Sequence, residues 1–498
     1  MKNIVKATAT VGIATFVGMA VGVVRSKFTA LTIGPGGVGI FSQAVNFLQL
    51  AVTFSSLCIQ LGVTKYISKY NAEGNASGVR SIIFSTVYMQ LAACGIFLSF
   101  LCAFLGPLGR LVFSTDQFNL LLLVAAVSIP FSVLAVTAEI VLFGFGHYKA
   151  FAQGRVISNI ISIIPLFVFI SAMKLNGGFL YLLVNAVIAC SVFFALVVRY
   201  LPRGVIAEAL TFSRALVPLY KKAAREILSY GGISFIVSVV NLVSIVGLRS
   251  LIIRRFGAEG NGFYQVVFAL SGSYLPFFTN GLWTYFYPKI SALREDSREY
   301  SIEMNHAIRF CILGMIPATA LLYLTRNIFI RIVFSDAFLP AGTLFSAQLF
   351  GDMFYLVFYI LGSSLLAATR LRAYLIAGLG SSASYVVAFL LLQQGAGLAA
   401  IVFSYMIANL LWAVLLLMYH IRWMGVRLYK RTLTLIVPSI TIIMICLFVG
   451  RDIIAYGAMK AALIAAWLTF ALTRVERKKI RQFLTQKIPL VSGLMRSL

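Results

Sequence analysis

Two glycine-rich stretches, "GPGGVG" at residues 34–39 and "GAEGNG" at residues 257–262, are copies of one motif, and other motifs recur at a similar offset of about 222 residues. The matching residues, in chain order, are Arg25-Ser26 with Arg249-Ser250, Gly34, Gly37 and Gly39 with Gly257, Gly260 and Gly262, Gln43 with Gln265, Arg110 of "RLVFS" with Arg331 of "RIVFS", and Lys149-Ala150-Phe151 with Arg372-Ala373-Tyr374. Matches that keep their order at a nearly constant spacing predict two copies of one structural module.

The composition indicates that this module is a membrane structure. Of the 498 residues, 61% are hydrophobic and 11% are charged, and the mean hydropathy is +0.96. A soluble domain carries about 25% charged residues, so we predict an all-α polytopic membrane helix bundle. The net charge of +27 is explained by basic cytoplasmic loops. No nucleic-acid-binding motif accompanies this charge, so no nucleic-acid partner is expected.

Membrane spans can be counted from length, because about 20 apolar residues cross a bilayer as one helix. The sequence contains about fourteen such segments. The predicted spans 1 to 14 cover roughly residues 5–31, 41–66, 81–105, 119–144, 152–173, 179–198, 228–252, 263–287, 307–325, 340–368, 373–393, 398–419, 433–449 and 453–473. Span 1 resembles a signal peptide, but no small-residue cleavage site closes it and it has a counterpart in the second repeat. It is therefore expected to be retained.

Basic residues predict the orientation and the domain organisation. With a cytoplasmic N-terminus, the cytoplasmic segments contain 30 Lys and Arg residues and the outer segments contain 10, which places both termini in the cytoplasm. The offset covers six spans, an even number, so both repeats insert in the same orientation. The predicted organisation is a six-helix lobe at 1–204, a cytoplasmic connector at 205–227, a second six-helix lobe at 228–422, and spans 13 and 14 with a basic cytoplasmic tail at 423–498.

Several polar residues near the outer ends of the equivalent spans 1 and 7, and on spans 2 and 8, are candidates for substrate binding. The basic candidates are Arg25, Lys27, Arg249, Arg254 and Arg255, and the amide candidates are Gln43, Asn46 and Gln265. Guanidinium groups bind phosphate in a bidentate manner, and amides bind sugar hydroxyls. The alternatives are that the cations reach outer headgroups and that the amides form helix–helix hydrogen bonds.

Two acidic residues lie within the predicted spans, Asp352 near the middle of span 10 and Glu139 in the inner half of span 4. A charge at this depth costs at least ~2.5 kcal/mol, so it usually faces a wet cavity or a partner. We therefore consider both residues candidates for ion coupling. The alternative for each is a structural salt bridge between helices.

The sequence carries no pattern typical of an enzyme. It contains no catalytic triad and no carboxylate pair, and its glycine motifs follow helices and lack the Gly-Lys-Ser/Thr ending of phosphate loops. The six cysteines lie in apolar segments without a CxxC pair, and the three histidines lie at predicted helix ends. We therefore predict no catalytic residues, no cofactor and no metal site.

Three segments resemble a known family. They are "GPGGVG" at 34–39, "GVTKYISKY" at 62–70 and "QLFGDMFYLVFYILGSSLLA" at 348–367, the last followed by the Arg372-Ala373-Tyr374 turn. Together they resemble the Wzx-type flippases of lipid-linked oligosaccharides, in the multidrug/oligosaccharidyl-lipid/polysaccharide (MOP) exporter superfamily. The resemblance covers spans 1 to 12 and is closest to members handling enterobacterial common antigen and O-antigen units. Spans 13 and 14 depart from that pattern and resemble the fourteen-helix lipid II flippases.

This resemblance implies a two-lobed bundle in the bacterial inner membrane that moves undecaprenyl-pyrophosphate-linked oligosaccharide to the outer leaflet by alternating access. It implies cavity-facing roles for Arg25 and Arg249 and an ion-coupling role for Asp352. The implied partners are the lipid-linked oligosaccharide, membrane lipids, H⁺ or Na⁺, and a polysaccharide polymerase with its chain-length regulator.

Four alternatives stay open. A lipid II-type flippase and a cation-coupled multidrug exporter share the same fold, although a drug exporter is expected to have an acidic cavity. A membrane glycan polymerase or ligase is expected to have a long outer loop with catalytic residues, which the predicted topology lacks. A scaffold that transports nothing would leave the polar residues of the spans without a role.

Overall fold

The computed structural model describes residues 2–201 and 217–435 and the separate positions 438, 441, 463, 467 and 471. The α-helices of these residues are α1 Lys2–Ser56, α2 Gln60–Ala72, α3 Ala76–Ala103, α4 Leu105–Phe113, α5 Asn119–Ala126, α6 Ser128–Gly144, α7 Tyr148–Ile161, α8 Ile163–Tyr200, α9 Val217–Gly281, α10 Tyr287–Ser291, α11 Arg298–Leu324, α12 Arg326–Val333, α13 Phe345–Ala367, α14 Leu371–Leu392 and α15 Ala400–Trp423. A π-helical turn at Leu282–Phe286 and 3₁₀ turns at Asp336–Leu344 and Gly397–Ala399 complete the set. No strand occurs over the described ranges, and the predicted all-α class is confirmed.

Nine helical segments of the described chain are long and apolar enough to cross a membrane. Three of them, Ala14–Ser56, Tyr148–Tyr200 and Gly232–Ser291, have 43, 53 and 60 residues. Each is at least twice the length of about 20 residues that one crossing needs, and each corresponds to two predicted spans. The nine segments therefore account for predicted spans 1 to 12 of a multi-pass membrane protein. Predicted spans 13 and 14 lie largely outside the described residues.

The repeated glycine motif produces the same backbone break in both copies. Gly34 has φ 64° and ψ −176° within α1, and Gly257 has φ 75° and ψ 172° within α9. Glycine tolerates positive φ without steric cost because it has no Cβ. In the first copy Pro35 follows the break directly, at a position where its missing N–H and fixed φ suit the start of a helix.

Two predicted boundaries were wrong for local reasons. The links expected between spans 1 and 2, and between spans 7 and 8, are helical except at Gly34 and Gly257, because one glycine is enough to redirect the chain. Predicted span 2 (41–66) was expected to be continuous, but the helix is interrupted after Ser56. Leu57 and Cys58 have positive φ there, at 57° and 50°, so hydropathy alone did not reveal this break.

The described residues form two compact units. The first comprises Met1–Ser273, Asn327–Leu344 and Arg370–Ala408, and the second comprises Tyr274–Arg326, Phe345–Thr369 and the described positions from Asn409 onward. The first unit contains both glycine motifs, and Phe113 and Phe179 form part of its core. In the second unit, α11 and α13 pack against each other, and Met315 of α11 and Leu356 and Ile360 of α13 are fully buried. The division into lobes at 1–204 and 228–422 stays a prediction.

The orientation also stays a prediction, and it can be tested by cysteine labelling in a cysteine-free background. Glu73 and Asp296 are exposed and lie beside the helix-capping residues Asn75 and Ser297, so replacing them leaves the caps intact. We expect Glu73→Cys and Asp296→Cys to be shielded from an impermeant thiol reagent in intact cells. Gln117→Cys, in the exposed link after α4, should be labelled. The opposite labelling pattern would reverse the predicted orientation.

Candidate functional site

The two glycine motifs pack directly against each other within the first unit. A Cβ on Gly39 would overlap the carbonyl oxygen of Ala258 and lie 2.9 Å from the amide nitrogen of Gly262. A Cβ on Gly262 would overlap the carbonyl oxygen of Pro35. Because Pro35 and Ala258 are themselves equivalent positions, the contact is reciprocal. The backbones approach this closely only because both positions are glycine.

Buried amides reinforce this contact between the repeats. The side-chain amide of Asn261 donates to the carbonyl of Gly39 at 2.7 Å. Gln43 is fully buried, and its Nε2 lies 3.0 Å from both the carbonyl oxygen of Val246 and the hydroxyl of Ser250. The predicted candidate Gln43 therefore serves as a hydrogen-bond donor between helices in this conformation, which is the alternative that the sequence left open. A sugar-binding role for it stays a prediction.

Arg249 is fully buried beside the same contact. Its Nη1 donates to the hydroxyl of Ser42 at 3.0 Å and to Oδ1 of Asn261 at 3.3 Å, and its Nη2 donates to Oε1 of Gln265 at 2.7 Å. Arg249 lies before the Gly257 break, Asn261 and Gln265 lie after it, and Ser42 lies on the first repeat, so one guanidinium joins three helical segments.

The surroundings of Arg249 are neutral. Its guanidinium carbon lies 4.8 Å from the ring centre of Tyr264 and 4.7 Å from that of Phe268, which is a favourable cation–π geometry. Over the described ranges it forms no ion pair with an acidic side chain, and its Nε has no hydrogen-bond partner. A buried cation held only by neutral groups has no counter-charge, so an anion that reached it would be bound strongly.

Arg25, the equivalent residue of the first repeat, has a different environment. Its Nη2 donates to the carbonyl and Oδ1 of Asn159 at 3.0 and 3.2 Å and to the hydroxyl of Ser162. These partners lie at the junction of α7 and α8, more than 100 residues along the chain from the first glycine motif. Like Arg249, Arg25 has a buried Nε without a partner and no acidic neighbour in an ion pair among the described residues.

Of the remaining basic candidates, Lys27 is half-buried and Arg254 and Arg255 are exposed. Lys27 donates to the carbonyl of Arg331 at 2.5 Å. Arg254 and Arg255 are exposed on α9 and make no hydrogen bond or ion pair with the part of the chain that the structure describes. Asn46, a predicted amide candidate, donates to the carbonyl of Ser42 on its own helix at 2.7 Å. The structure therefore brings Arg249, Gln43 and Gln265 together around the repeat contact and leaves the other basic candidates at its periphery.

Asp352 is buried in the second unit, on α13, with 0% exposure. The hydroxyl of Tyr274 donates to its Oδ2 at 2.6 Å, and Nε2 of Gln348 donates to its Oδ1 at 3.2 Å. Both of these donors are neutral, so they stabilise the carboxylate by hydrogen bonding rather than by opposite charge. Its ion-coupling role stays a prediction.

Glu139 forms a salt bridge instead. Its Oε2 lies 2.9 Å from Nη2 of Arg155, which projects from α7 and also lies over the ring of Phe151 at 4.6 Å. A structural salt bridge between helices is the alternative that the sequence analysis gave for Glu139. An ion-coupling role for Glu139 would require the bridge to Arg155 to open.

Two residues of these networks, Asn261 and Tyr274, were missed by the sequence analysis. Asn261 is the polar residue between Gly260 and Gly262, and Val38 occupies the matching place in the first motif, so the repeat did not reveal it. Tyr274 lies 78 residues from Asp352, a separation that no local pattern connects. Over the described residues, no cluster of three or more His, Cys, Asp or Glu side chains is positioned to hold a metal ion.

Comparison with solved structures defines the class of protein. The lipid II flippase MurJ, in an inward closed conformation, aligns with a TM-score of 0.67 and 17% identity over 94% of this chain and 99% of its own. An inward-facing multidrug resistance transporter of the MATE family in the MOP superfamily aligns with a TM-score of 0.65 and 11% identity, covering 83% and 98%. The chain therefore has the fold that these two transporters share.

Sequence comparison then identifies the family. The profile of the polysaccharide biosynthesis protein family matches residues 39–342, which is more than half of the chain. The lipid III flippase of Escherichia coli (strain K12) is 26% identical over 384 residues, covering 75% of this chain and 88% of the relative. The chain belongs to the polysaccharide biosynthesis protein family, and the resemblance identified from its sequence is confirmed.

Proposed function

We propose that this protein is a flippase of the bacterial inner membrane that moves an undecaprenyl-pyrophosphate-linked oligosaccharide from the inner to the outer leaflet. The observation that carries the proposal is a pair of equivalent arginines, Arg25 and Arg249, whose hydrogen-bond partners among the described residues are all neutral. Membership of a polysaccharide biosynthesis family and similarity to a lipid III flippase support a lipid-linked glycan as the substrate. The finer choice, an O-antigen unit, rests on the sequence resemblance.

The chemistry of such a substrate explains why cations are needed. A pyrophosphate and its glycan cannot enter hydrocarbon without a large desolvation cost, whereas the polyprenyl tail can stay in the bilayer. Guanidinium groups offset that cost through charge-assisted hydrogen bonds to the phosphate oxygens. Arg25 and Arg249 bind the pyrophosphate when their protein acceptors exchange for phosphate oxygens. The exposed side chains of Arg254 and Arg255, which follow Arg249 toward the predicted outer side, meet it later.

Alternating access provides the movement. In the state described here the predicted outer ends of spans 1, 2, 7 and 8 are held together by the Gly39–Gly262 contact and by the hydrogen bonds of Asn261 and Arg249. Release of the glycolipid to the outer leaflet requires this contact to separate and then to re-form. Arg249 cannot bind its protein acceptors and a phosphate at the same time. Substrate binding therefore favours the state in which the two glycine motifs are separated.

Asp352 is proposed to couple this cycle to an ion gradient, and Asp352→Asn tests the coupling. The change keeps the size of the side chain and removes its ability to take up a proton or bind Na⁺. We expect the variant to bind glycolipid, to lose transport, and to show no response to an imposed proton or sodium gradient. Tyr274→Phe, which removes the donor to Oδ2, should lose part of the activity. Asp296→Asn, which makes the same change at an exposed side chain, is the matched control. If Asp352→Asn shows normal gradient-dependent transport, Asp352 is a structural residue and does not couple the cycle to an ion gradient.

The function itself is tested with the purified full-length chain in vesicles that contain undecaprenyl-pyrophosphate-linked oligosaccharide. The fraction of glycan that an impermeant glycan-modifying enzyme can reach should rise with time only when the protein is present. Export of a fluorescent cationic drug without glycolipid movement would favour the multidrug exporter instead. A glycan-transfer product in the same vesicles would favour a polymerase or ligase.

A further inference from the structure

Two short helices occupy equivalent places in the repeats, and the proposed transport cycle does not use them. Helix α4 follows α3 and carries the "RLVFS" motif, and α12 follows α11 and carries "RIVFS". Both lie in links that the charge distribution assigns to the outer side of the membrane. We propose that α4 and α12 are interfacial helices that lie in the outer leaflet, with phospholipid as their partner.

The two faces of α4 support this assignment. Val112 and Phe113 are buried in the core of the first unit, whereas Leu111 on the other side is 67% exposed. The exposed apolar surface continues onto the end of α3. Phe100 in α3 and Phe104, which links α3 to α4, are 49% and 50% exposed, and their ring centres lie 5.0 Å apart. Because α3 is a membrane-spanning segment, the surface that continues from it onto α4 is in contact with lipid.

Helix α12 repeats the arrangement. Ile330 and Val333 are buried, while Ile328 and Ile332 are 58% and 60% exposed. Residues four apart lie on one face of a helix, so these two isoleucines form an apolar stripe. Ile332 occupies the position equivalent to Leu111, and a short helix with one apolar exposed stripe is typical of a membrane interface.

Each stripe is accompanied by an exposed arginine at an equivalent position. Arg110 pairs with Asp116 at 3.1 Å and Arg331 pairs with Asp336 at 2.8 Å, and the arginine side chains are 70% and 64% exposed. An exposed ion pair contributes about 0–1 kcal/mol, so it does not prevent the guanidinium from binding a lipid phosphate. The aliphatic part of an arginine can lie along apolar surface while its charged end reaches the headgroups.

The C-terminal carbonyls of both helices are bound by the opposite repeat. The carbonyl of Val112 accepts from Ser250 at 3.2 Å, and the carbonyl of Arg331 accepts from Lys27 at 2.5 Å. Such carbonyls lack a partner within their own helix, and here the outer ends of predicted spans 7 and 1 supply the donors. These hydrogen bonds connect α4 and α12 to the outer ends of predicted spans 7 and 1, which carry the basic residues. Helices anchored in the outer leaflet therefore also fix the positions of these span ends.

The depth of these helices can be measured without any transport assay. Nitroxide labels at Leu111→Cys and Ile332→Cys, in an otherwise cysteine-free chain in phospholipid nanodiscs, should be accessible to oxygen and shielded from a water-soluble nickel chelate. Their depth should be ~5–10 Å into the headgroup–acyl boundary. Leu91→Cys, at an exposed side chain near the middle of α3, serves as the deep control, and Gln117→Cys in the exposed link after α4 serves as the aqueous control.

The outcomes are distinct. If both labels at Leu111 and Ile332 are as accessible to the nickel chelate as the label at Gln117, the interfacial assignment is overturned, and water or another protein covers these faces. If they are as deep as the label at Leu91, the helices are part of the spans and the assignment is also overturned. Because no glycolipid is involved, neither result bears on the proposed flippase activity.

Discussion

Gly39→Ala and Gly262→Ala are each expected to abolish glycolipid transport while the protein still inserts in the membrane. The added Cβ would overlap a backbone carbonyl oxygen of the other repeat, at Ala258 or at Pro35. Backbone atoms cannot rotate away as a side chain can, so the two motifs must separate. Overpacking of this kind costs about 1–3 kcal/mol, which corresponds to a shift of roughly 5- to 150-fold in the equilibrium between the joined and separated states.

A matched control lies in the same motif. A Cβ on Gly36 has no atom within 4 Å and its φ is not positive, so Gly36→Ala should transport at the wild-type rate. Transport is measured by glycan accessibility in vesicles, and insertion by the amount of monodisperse protein extracted from the membrane. Wild-type transport by Gly39→Ala and Gly262→Ala would mean that the contact between the motifs is not part of the cycle.

Arg249→Ala is expected to have the second large effect, on both transport and stability. The change leaves a cavity and removes the shared donor from Ser42, Asn261 and Gln265, and each unsatisfied buried acceptor costs about 1–3 kcal/mol. We expect transport to fall by ~100-fold or more, equivalent to about 2.7 kcal/mol, together with a lower unfolding temperature. Arg249→Lys should recover part of the stability and less of the transport. A lysine ammonium group cannot bind all the acceptors that the planar guanidinium binds at the same time.

The comparison with Arg25 separates a structural role from phosphate binding. If both arginines bind pyrophosphate, Arg25→Ala and Arg249→Ala should both weaken glycolipid binding, measured by lipid-dependent thermal stabilisation of the purified variants. If Arg249 only joins the repeats, its variant should lose stability yet gain as much from added glycolipid as the wild type does. Arg294→Ala, at an exposed side chain, controls for the loss of one positive charge.

The sequence by itself determined the class of fold and its repeat. Hydropathy over about 20 residues identified the segments that cross the membrane, because burying a span in lipid depends on its own composition. The glycine motifs located the breaks at Gly34 and Gly257, because a positive φ is a local requirement. The family was also recognised from short motifs, since they need no knowledge of distant contacts.

The tertiary structure alone decided how the candidate residues are paired. Arg25 and Arg249 are equivalent in sequence, yet Arg25 binds Asn159, 134 residues away, while Arg249 joins the two repeats beside Gly39. One partner of Asp352, Tyr274, likewise lies on another helix. A hydrogen bond or an ion pair depends on which side chains meet in space, and no periodicity within one helix contains that information.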